Sequence, residues 1–351
     1  MNETVILGID TSCDDTGVGI VWAGRVVANV VASQTALHAA YGGVMPEQAS
    51  REHLSTIGAV LEGALAEAEV TLDDVTHVAA TYGPGLVGAL LVGLSYAKGL
   101  AWARGLPFVP VHHLEGHIAS VLGASAPASG DLAPPFLCLI ASGGHTSLFD
   151  VRAWGDYHEL GRSRDDAAGE AFDKAARLLR LGYPGGPALS RLASSGNPDA
   201  YPFTLPLRGQ KGFDFSFSGL KTAVSLLVQK EPDADKADVA ASFERVVVES
   251  LVGTTLRAAQ ATGYGTLVVA GGVAANSRLR ERLQKAALTV HVPPLALATD
   301  NGAMIALAAH ARLAAELAVS DLNVDATPYL PLSEVSGDVP RPRTRDASAR
   351  S

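Results

Sequence analysis

At 351 residues the chain is too long for one comfortable core, and it predicts two lobes. Its composition, 48% hydrophobic and 18% charged, excludes a disordered chain, and the low aromatic share of 6% leaves Ala, Val, Leu and Gly to pack helices on a mostly parallel sheet. The net charge of −9 excludes a lone module that binds nucleic acid by charge, although a local basic face or an auxiliary subunit remains compatible.

Residues 5–9 form an apolar run that ends in the polar turn Asp10-Thr11-Ser12-Cys13-Asp14-Asp15-Thr16-Gly17. Runs 18–22 and 25–33, split by Ala23-Gly24, predict a hairpin. Residues 50–69 predict an amphipathic helix with Leu54, Ile57, Leu61 and Leu65 on one face. A strand at 77–82 turns through Gly83-Pro84-Gly85 into a helix at 87–104. A strand at 108–111 then leads into a helix carrying His113 and His117. Residues 124–134 read as a linker, after which the pattern restarts. A strand at 136–141 ends in Ser142-Gly143-Gly144-His145-Thr146, and strands follow at 147–151 and 157–160. Later come a strand at 267–270, the pair Gly271-Gly272, a helix, a strand at 290–292 and a helix at 301–317.

The two halves share one order of strands, Gly-rich turns and helices, a degenerate repeat of elements without identity. Two facing lobes that each offer a polar turn make a cleft suited to a nucleotide. The expected division is residues 1–123 for the first lobe, completed by a helix at about 301–325, and 124–300 for the second, with a helical insertion at about 161–262. A weakly ordered tail is expected over 326–351. Cys13 and Cys138 lie far apart and suggest no disulfide framework, which fits a reducing cytoplasm. No signal peptide is expected, and no apolar run reaches the roughly 18 residues needed to cross a bilayer.

His113 and His117 stand at i and i+4, one turn apart on one helix face, close enough to bind one metal ion. In a zincin the Glu follows the first His directly; Glu115 stands two residues after it, so this is not that motif. Asp300, at the end of the last strand, is the candidate third ligand, with helix capping as its other reading. Ser142-Gly143-Gly144 can point backbone N–H groups at an anion or form an ordinary hairpin turn. Gly271 and Gly272 permit flat packing of a base or ribose, and Asn276 can bond a base edge or hydroxyl. Asp165 and Asp166 suit a helix N-terminus, whereas Asp173 fits a cap less well and could accept from ribose hydroxyls. Phe213 to Phe217 alternate aromatic and polar residues as a half-buried strand would, and Lys221 could meet a phosphate. Arg278, Arg280, Arg282 and Lys285 are either solvated or face an anion. No Ser–His–Asp order or activated Cys stands out, so direct attack on an activated substrate fits better than a covalent enzyme intermediate.

Ten stretches in order resemble one family: LGIDTSCDDTGVGIV, PEQASREH, GPGLVGALLVG, HHLEGHIAS, SGGHT, DDAAGEAFDK, YPGGP, FSFSGLKTA, GGVAAN and TDNGAMIA, spanning residues 7 to about 307. It is the tRNA adenosine threonylcarbamoyltransferase family, once labelled a sialoglycoprotein endopeptidase, of the actin-like (ASKHA) superfamily. The resemblance implies an α/β fold of two actin-like, ribonuclease H-like lobes with a central nucleotide and metal cleft. It implies transfer of threonylcarbamoyl from threonylcarbamoyl-AMP to N6 of the adenosine next to the anticodon, in tRNAs that read codons beginning with A. His113, His117 and Asp300 would hold one divalent metal, iron in the family, with zinc and manganese compatible with the same donors. Ile140, Ala141, Ser142, Gly143, Gly144, Asp173, Gly186 and Asn276 would contact the adenylate, with Asp14 and Asp15 near the reacting end. Its partners would be tRNA, an inactive paralogue subunit and a small P-loop ATPase subunit, with no membrane. Asp10 and Asp15 depart from the family's usual Glu. The competing readings are an actin-like small-molecule kinase or ATPase, a metalloprotease, and a non-enzymatic paralogue, which would be expected to lose the two histidines.

Overall fold

The structure is a computed structural model that describes residues 4–39, 41, 43–123, 132–182, 184–317, 319 and 322–335. Most of the expected linker, Tyr183 and the tail from 336 onward lie outside the described residues.

The first half opens with a meander. Val5–Asp10 (β1), Asp15–Trp22 (β2) and Arg25–Ser33 (β3) pair antiparallel in succession. Thr35–Ala39 (α1), Pro46–Glu67 (α2), His77–Gly83 (β4), Val87–Arg104 (α3), Phe108–His112 (β5) and His113–Ala119 (α4) follow. β4 runs parallel to β1 and β5 parallel to β4, giving the order β3-β2-β1-β4-β5. Being central, β1 is buried along its whole length, which explains its unbroken apolar run.

The second half repeats this plan. Phe136–Ala141 (β6), Thr146–Ala153 (β7) and Asp156–Arg162 (β8) form the meander. Ala168–Leu179 (α5), Gly185–Ala193 (α6), Ser218–Lys230 (α7) and Lys236–Thr262 (α8) then precede Thr266–Ala270 (β9). Ser277–Gln284 (α9), Thr289–His291 (β10) and Gly302–Ala314 (α10) complete the described order. β9 runs parallel to β6, and β10 parallel to β9. The sheet order β10-β9-β6-β7-β8 is that of the first sheet read from its other edge. The repeated element order is therefore a repeated topology, with two mixed five-stranded sheets among the described residues.

Alternating residues of β1 face different layers. Val5, Leu7 and Ile9 pack with Ile57, Leu61 and Leu94 of α2 and α3, while Ile6 packs with α10 residues including Met304 and Leu307. α10 lies so close to the meander that a Cβ on Gly19 would stand 2.2 Å from the Ala303 nitrogen. α4 bridges the two halves. Its Leu114 and Ile118 pack with Phe136, Cys138 and Ile140 of β6, and a Cβ on Gly116 would stand 2.8 Å from Ile305 Cδ1 of α10.

Some expectations need correction. The amphipathic helix starts at Pro46, and its buried face runs through Ala49, His53, Ile57, Val60, Leu61 and Ala64. Leu54 is 72% exposed, because the face that meets the sheet is turned by one residue from the leucine stripe. Asp165 does not serve the helix that follows it. It accepts from the Phe217 and Ser218 nitrogens and from both Ser216 and Ser218 hydroxyls, so it caps α7 across fifty residues of chain. Phe213–Phe217 forms no regular strand; its one bridge is between Ser163 and Phe215. The tail is packed as far as 335: Leu332 and Val335 are buried, and the Thr327 nitrogen donates to Tyr82 O at 2.7 Å. Its Pro- and Ser-containing composition hides a strap laid across the ends of β4 and β5.

Candidate active site

His113 and His117 meet because α4 starts immediately after β5. His112 caps the helix: its Nδ1 accepts from the Leu114 nitrogen at 3.1 Å, and its Nε2 donates to Leu330 O at 2.8 Å. Burial holds this imidazole neutral, at about 3. The rings of His113 and His117 sit edge to face with centroids 4.7 Å apart.

Asp300 reaches them from the other end of the chain. The capping reading is taken by its neighbour: Asn301 Oδ1 accepts from the Met304 nitrogen at 2.9 Å and starts α10. That leaves the Asp300 carboxylate 3.2 Å from His117 Nε2 and 3.7 Å from His113 Nε2. One donor atom from each of the three residues lies within 4.8 Å of the others, so the triad could hold a metal ion. The residues present fit one. Both ring nitrogens of His117 are buried without a hydrogen-bond partner among the described residues, an expensive state that a cation would relieve.

The charge around them also favours a cation. Burial alone would lower His113, but Asp300 and Asp10 overcome it and push the imidazole up to about 9. Burial opposes ionisation of Asp300, yet His113 and His117 hold its carboxyl well below the usual carboxylate range. Asp10 Oδ1 lies 3.6 Å from His113 Nδ1, on the ring edge opposite Asp300, and it accepts from Thr81 Oγ1 at 2.5 Å. At that distance Asp10 acts on the imidazole by charge and not through a hydrogen bond. Glu115 is buried in an ion pair with Arg312, so it is not available to activate a metal-bound water.

Asp14 ends the loop between β1 and β2 and Asp15 opens β2; both are half-buried. The loop is braced by His53 of α2, whose Nε2 meets Cys13 O at 3.0 Å and whose Nδ1 meets Thr16 Oγ1 at 2.7 Å. Burial pushes the Asp15 carboxyl up to about 6; a Ser33 hydrogen bond opposes this, and Asp14, Asp300 and Asp10 add to it.

The second half brings its own turn to the same place. The Ser142 nitrogen donates to His145 O at 2.8 Å, and the His145 nitrogen to Ser142 Oγ at 3.1 Å, closing the turn after β6. Gly143 and Gly144 are exposed, with open space where a Cβ would stand. Ile140 and Ala141 are fully buried in β6, so from that run the turn presents Ser142, Gly143 and Gly144. His145, whose ring centroid is 6.4 Å from that of His113, joins the two lobes' contributions. Burial, with His113 and His117, pushes it down to about 4.

α6 links the remaining residues. Asp173 Oδ1 accepts from the Gly185 and Gly186 nitrogens at 2.9 and 3.1 Å, capping α6. Asn276 caps α9 through its Oδ1 and donates through Nδ2 to Ser190 Oγ of α6 and Glu244 Oε1 of α8. A cavity of about 430 Å³ lies beside it, lined by Ser190, Glu244, Ser277, Arg278 and Lys285 among others.

The family model for tRNA N6-adenosine threonylcarbamoyltransferase matches residues 25–307. The chain belongs to this family. It is 55% identical over 334 residues to the tRNA N6-adenosine threonylcarbamoyltransferase of a Thermus thermophilus strain, covering 95% of this chain and all of that one. It is 53% identical to the enzyme so named in Microcystis aeruginosa and 47% to that of Clostridium botulinum, covering 95% of this chain in each case and 98% and 100% of those proteins. Among solved structures, HypF of T. kodakarensis superposes at TM-score 0.60 with 14% identity, over 88% of this chain and 47% of that one. Component A of the Acidaminococcus fermentans (R)-2-hydroxyglutaryl-CoA dehydratase superposes at 0.56 with 18% identity, over 89% and 99%. These two likenesses show the fold alone, and it is the actin-like α/β fold of two lobes.

Reasoning from the residues did not single out Asp10, His145 or His53 as parts of the site. His145 carried a usable signal, since it directly follows Gly144 in the turn. Asp10 and His53 carried none that separates them from buried polar residues, because their roles depend on β4, α2 and α4 arriving from elsewhere.

Proposed function

We propose that this family member transfers the threonylcarbamoyl group of threonylcarbamoyl-AMP to N6 of the adenosine next to the anticodon in tRNAs that read codons beginning with A. The observation that carries this reading is the placement of the His113–His117–Asp300 donor set, with both His117 ring nitrogens buried and unsatisfied, beside the Ser142–Gly144 turn. In this reading residues 1–123 with about 301–325 form one lobe and 124–300 the other, and the triad lies in the cleft between them. His113, His117 and Asp300 hold iron(II), although two imidazoles and a carboxylate suit zinc or manganese as well. When bound, the metal supplies Lewis acidity to the mixed anhydride or its phosphate.

The chain's own groups do the rest. The backbone amides of the exposed Gly143 and Gly144 receive the phosphate, in a turn that the Ser142 amide closes. Asp173 and Gly186 at the head of α6, with Asn276, hold the adenosine, and the adjoining cavity lies in the size range of a ligand site. The N6 amine attacks the carbamoyl carbon, the bond to the phosphate oxygen breaks, and AMP leaves. Asp15, with a carboxyl poised near 6, accepts the amine proton, with Asp14 beside it in the sequence.

The proposed partners are tRNA, an inactive paralogue subunit and a P-loop ATPase subunit, and the proposed location is the cytoplasm. Among the described residues no helix is long and apolar enough to cross a membrane. The test is AMP release from threonylcarbamoyl-AMP in the presence of the partner subunits. AMP release that requires a substrate tRNA supports the transfer. Steady ATP hydrolysis by the chain alone, with no tRNA-dependent AMP release, would put a kinase or ATPase in its place.

A further inference from the structure

Glu115 lies between the two metal-site histidines in sequence but on the far side of the helix. At 3.6 residues per turn it projects about 200° from His113 and from His117. It is fully buried. Its two carboxylate oxygens each lie 3.1 Å from Arg312 Nη1 of α10, and Oε1 also accepts from Tyr157 OH of β8 at 2.7 Å. Arg312 and Tyr157 are themselves buried. One carboxylate thus joins three elements: α4, which presents His113 and His117; α10, whose N-terminus follows Asp300; and β8 of the second sheet.

A buried ion pair is a poor device for stability alone, because desolvation offsets its Coulomb gain. This one carries a further cost, since Arg312 Nε is buried with no partner among the described residues. What the pair supplies is direction. α4 has only seven residues, too few to hold its own orientation, so tertiary contacts set its rotation. A histidine ring nitrogen stands roughly 6 Å from its helix axis, so a rotation of about 10° displaces it by about 1 Å. Metal–ligand distances tolerate only about 0.2 Å.

We propose that Glu115, Arg312 and Tyr157 are the positioning residues of the metal triad, fixing the rotation of α4 against α10 and β8 so that both histidines face Asp300. This rests on the metal-binding reading of the triad. The Tyr157 bond also couples the lobes: β8 belongs to the sheet that carries the Ser142 turn, so a lobe displacement strong enough to break that bond would loosen the metal site.

The test is titration of the full chain with cobalt(II), followed by its visible ligand-field absorption, alongside the thermal midpoint. The wild type is expected to bind one cobalt per chain. Glu115→Gln and Arg312→Met are each expected to weaken cobalt binding by about ten- to a hundredfold, the usual effect of an outer-shell partner. The double variant removes both charges, so its thermal midpoint should return toward the wild type while cobalt binding stays weak and the absorption band stays altered. Tyr157→Phe, which deletes one hydroxyl and tests the idea in a mildly perturbed fold, should weaken binding several-fold. A folded double variant with wild-type cobalt affinity and an unshifted band would overturn the proposal. Undiminished binding by His113→Ala would instead remove the metal reading itself, and this inference with it.

Discussion

Asp15 is the residue whose environment argues most directly for chemistry. Its Oδ1 is buried without a partner among the described residues, and burial together with Asp14, Asp300 and Asp10 pushes its carboxyl up to about 6. As the proposed proton acceptor it must be ionised, so activity should rise with pH and fall away below about 6. Because its folded pKa is raised, keeping it ionised costs stability above about 6, and that cost shrinks as pH falls from about 6 toward the ordinary carboxylate value. Asp15→Asn should therefore gain up to about 1 kcal/mol of stability at pH 7, after allowing for partial exposure, while losing about a hundredfold or more in rate. Thermal melts and AMP-release rates from pH 5 to 8 check both signs together. A variant that loses stability and keeps its rate would remove Asp15 from the mechanism. The acidic loop was legible as a candidate from its residues alone, but its proton affinity was not, because two of the charges that raise it come from β1 and the approach to α10.

At the level of elements, periodicity located most strands and helices, and the structure explains where it failed. Val87–Arg104 and Phe136–Ala141 have the expected bounds because Gly-Pro turns and a Gly-rich turn punctuate them. Leu54 misled because a helix over a sheet buries Ala and His as readily as Leu, as Ala49, His53 and Ala64 show. Asp165 misled because a cap can come from far along the chain. Asn301 and Asp300 present the same question one residue apart, and the structure separates them: the amide starts the helix and the carboxylate turns to the histidines. Asn301→Ala should cost about 1 kcal/mol of stability through the lost cap. It should also weaken metal binding, measured by titration, because the backbone that aims Asp300 is released. Gly19→Ala should be more damaging. Its Cβ would meet the backbone of Ala303, which cannot move without shifting all of α10, so a loss of about 3 kcal/mol or more is expected in a denaturant melt. A neutral Gly19→Ala variant would contradict the close approach of α10 to β2.

For the whole molecule, the repeated element order is matched by one topology used twice, yet the relative placement of the halves was invisible in the residues. The site depends on that placement. α10 is the last described α-helix but packs on the first sheet, bringing Asp300 with it, and α4 leaves the first sheet to pack on β6. The strap at 326–335 was the least legible part, since nothing in its composition shows that Leu332 and Val335 are buried or that Leu330 O holds His112. Truncation after residue 325 should therefore cost at least about 3 kcal/mol from the lost burial of these two apolar side chains alone. It should also lower metal affinity by freeing the cap of α4, and a truncated chain with unchanged melting and metal content would refute this role.

The proposed service of the triad in threonylcarbamoyl transfer to tRNA is tested most directly by mass spectrometry of nucleosides, from tRNA incubated with the chain, its partner subunits, threonine, bicarbonate and ATP. Threonylcarbamoyladenosine should form with the wild-type chain and fall below detection with His117→Ala. Its absence with the wild type, or its undiminished formation by His117→Ala, would contradict that role.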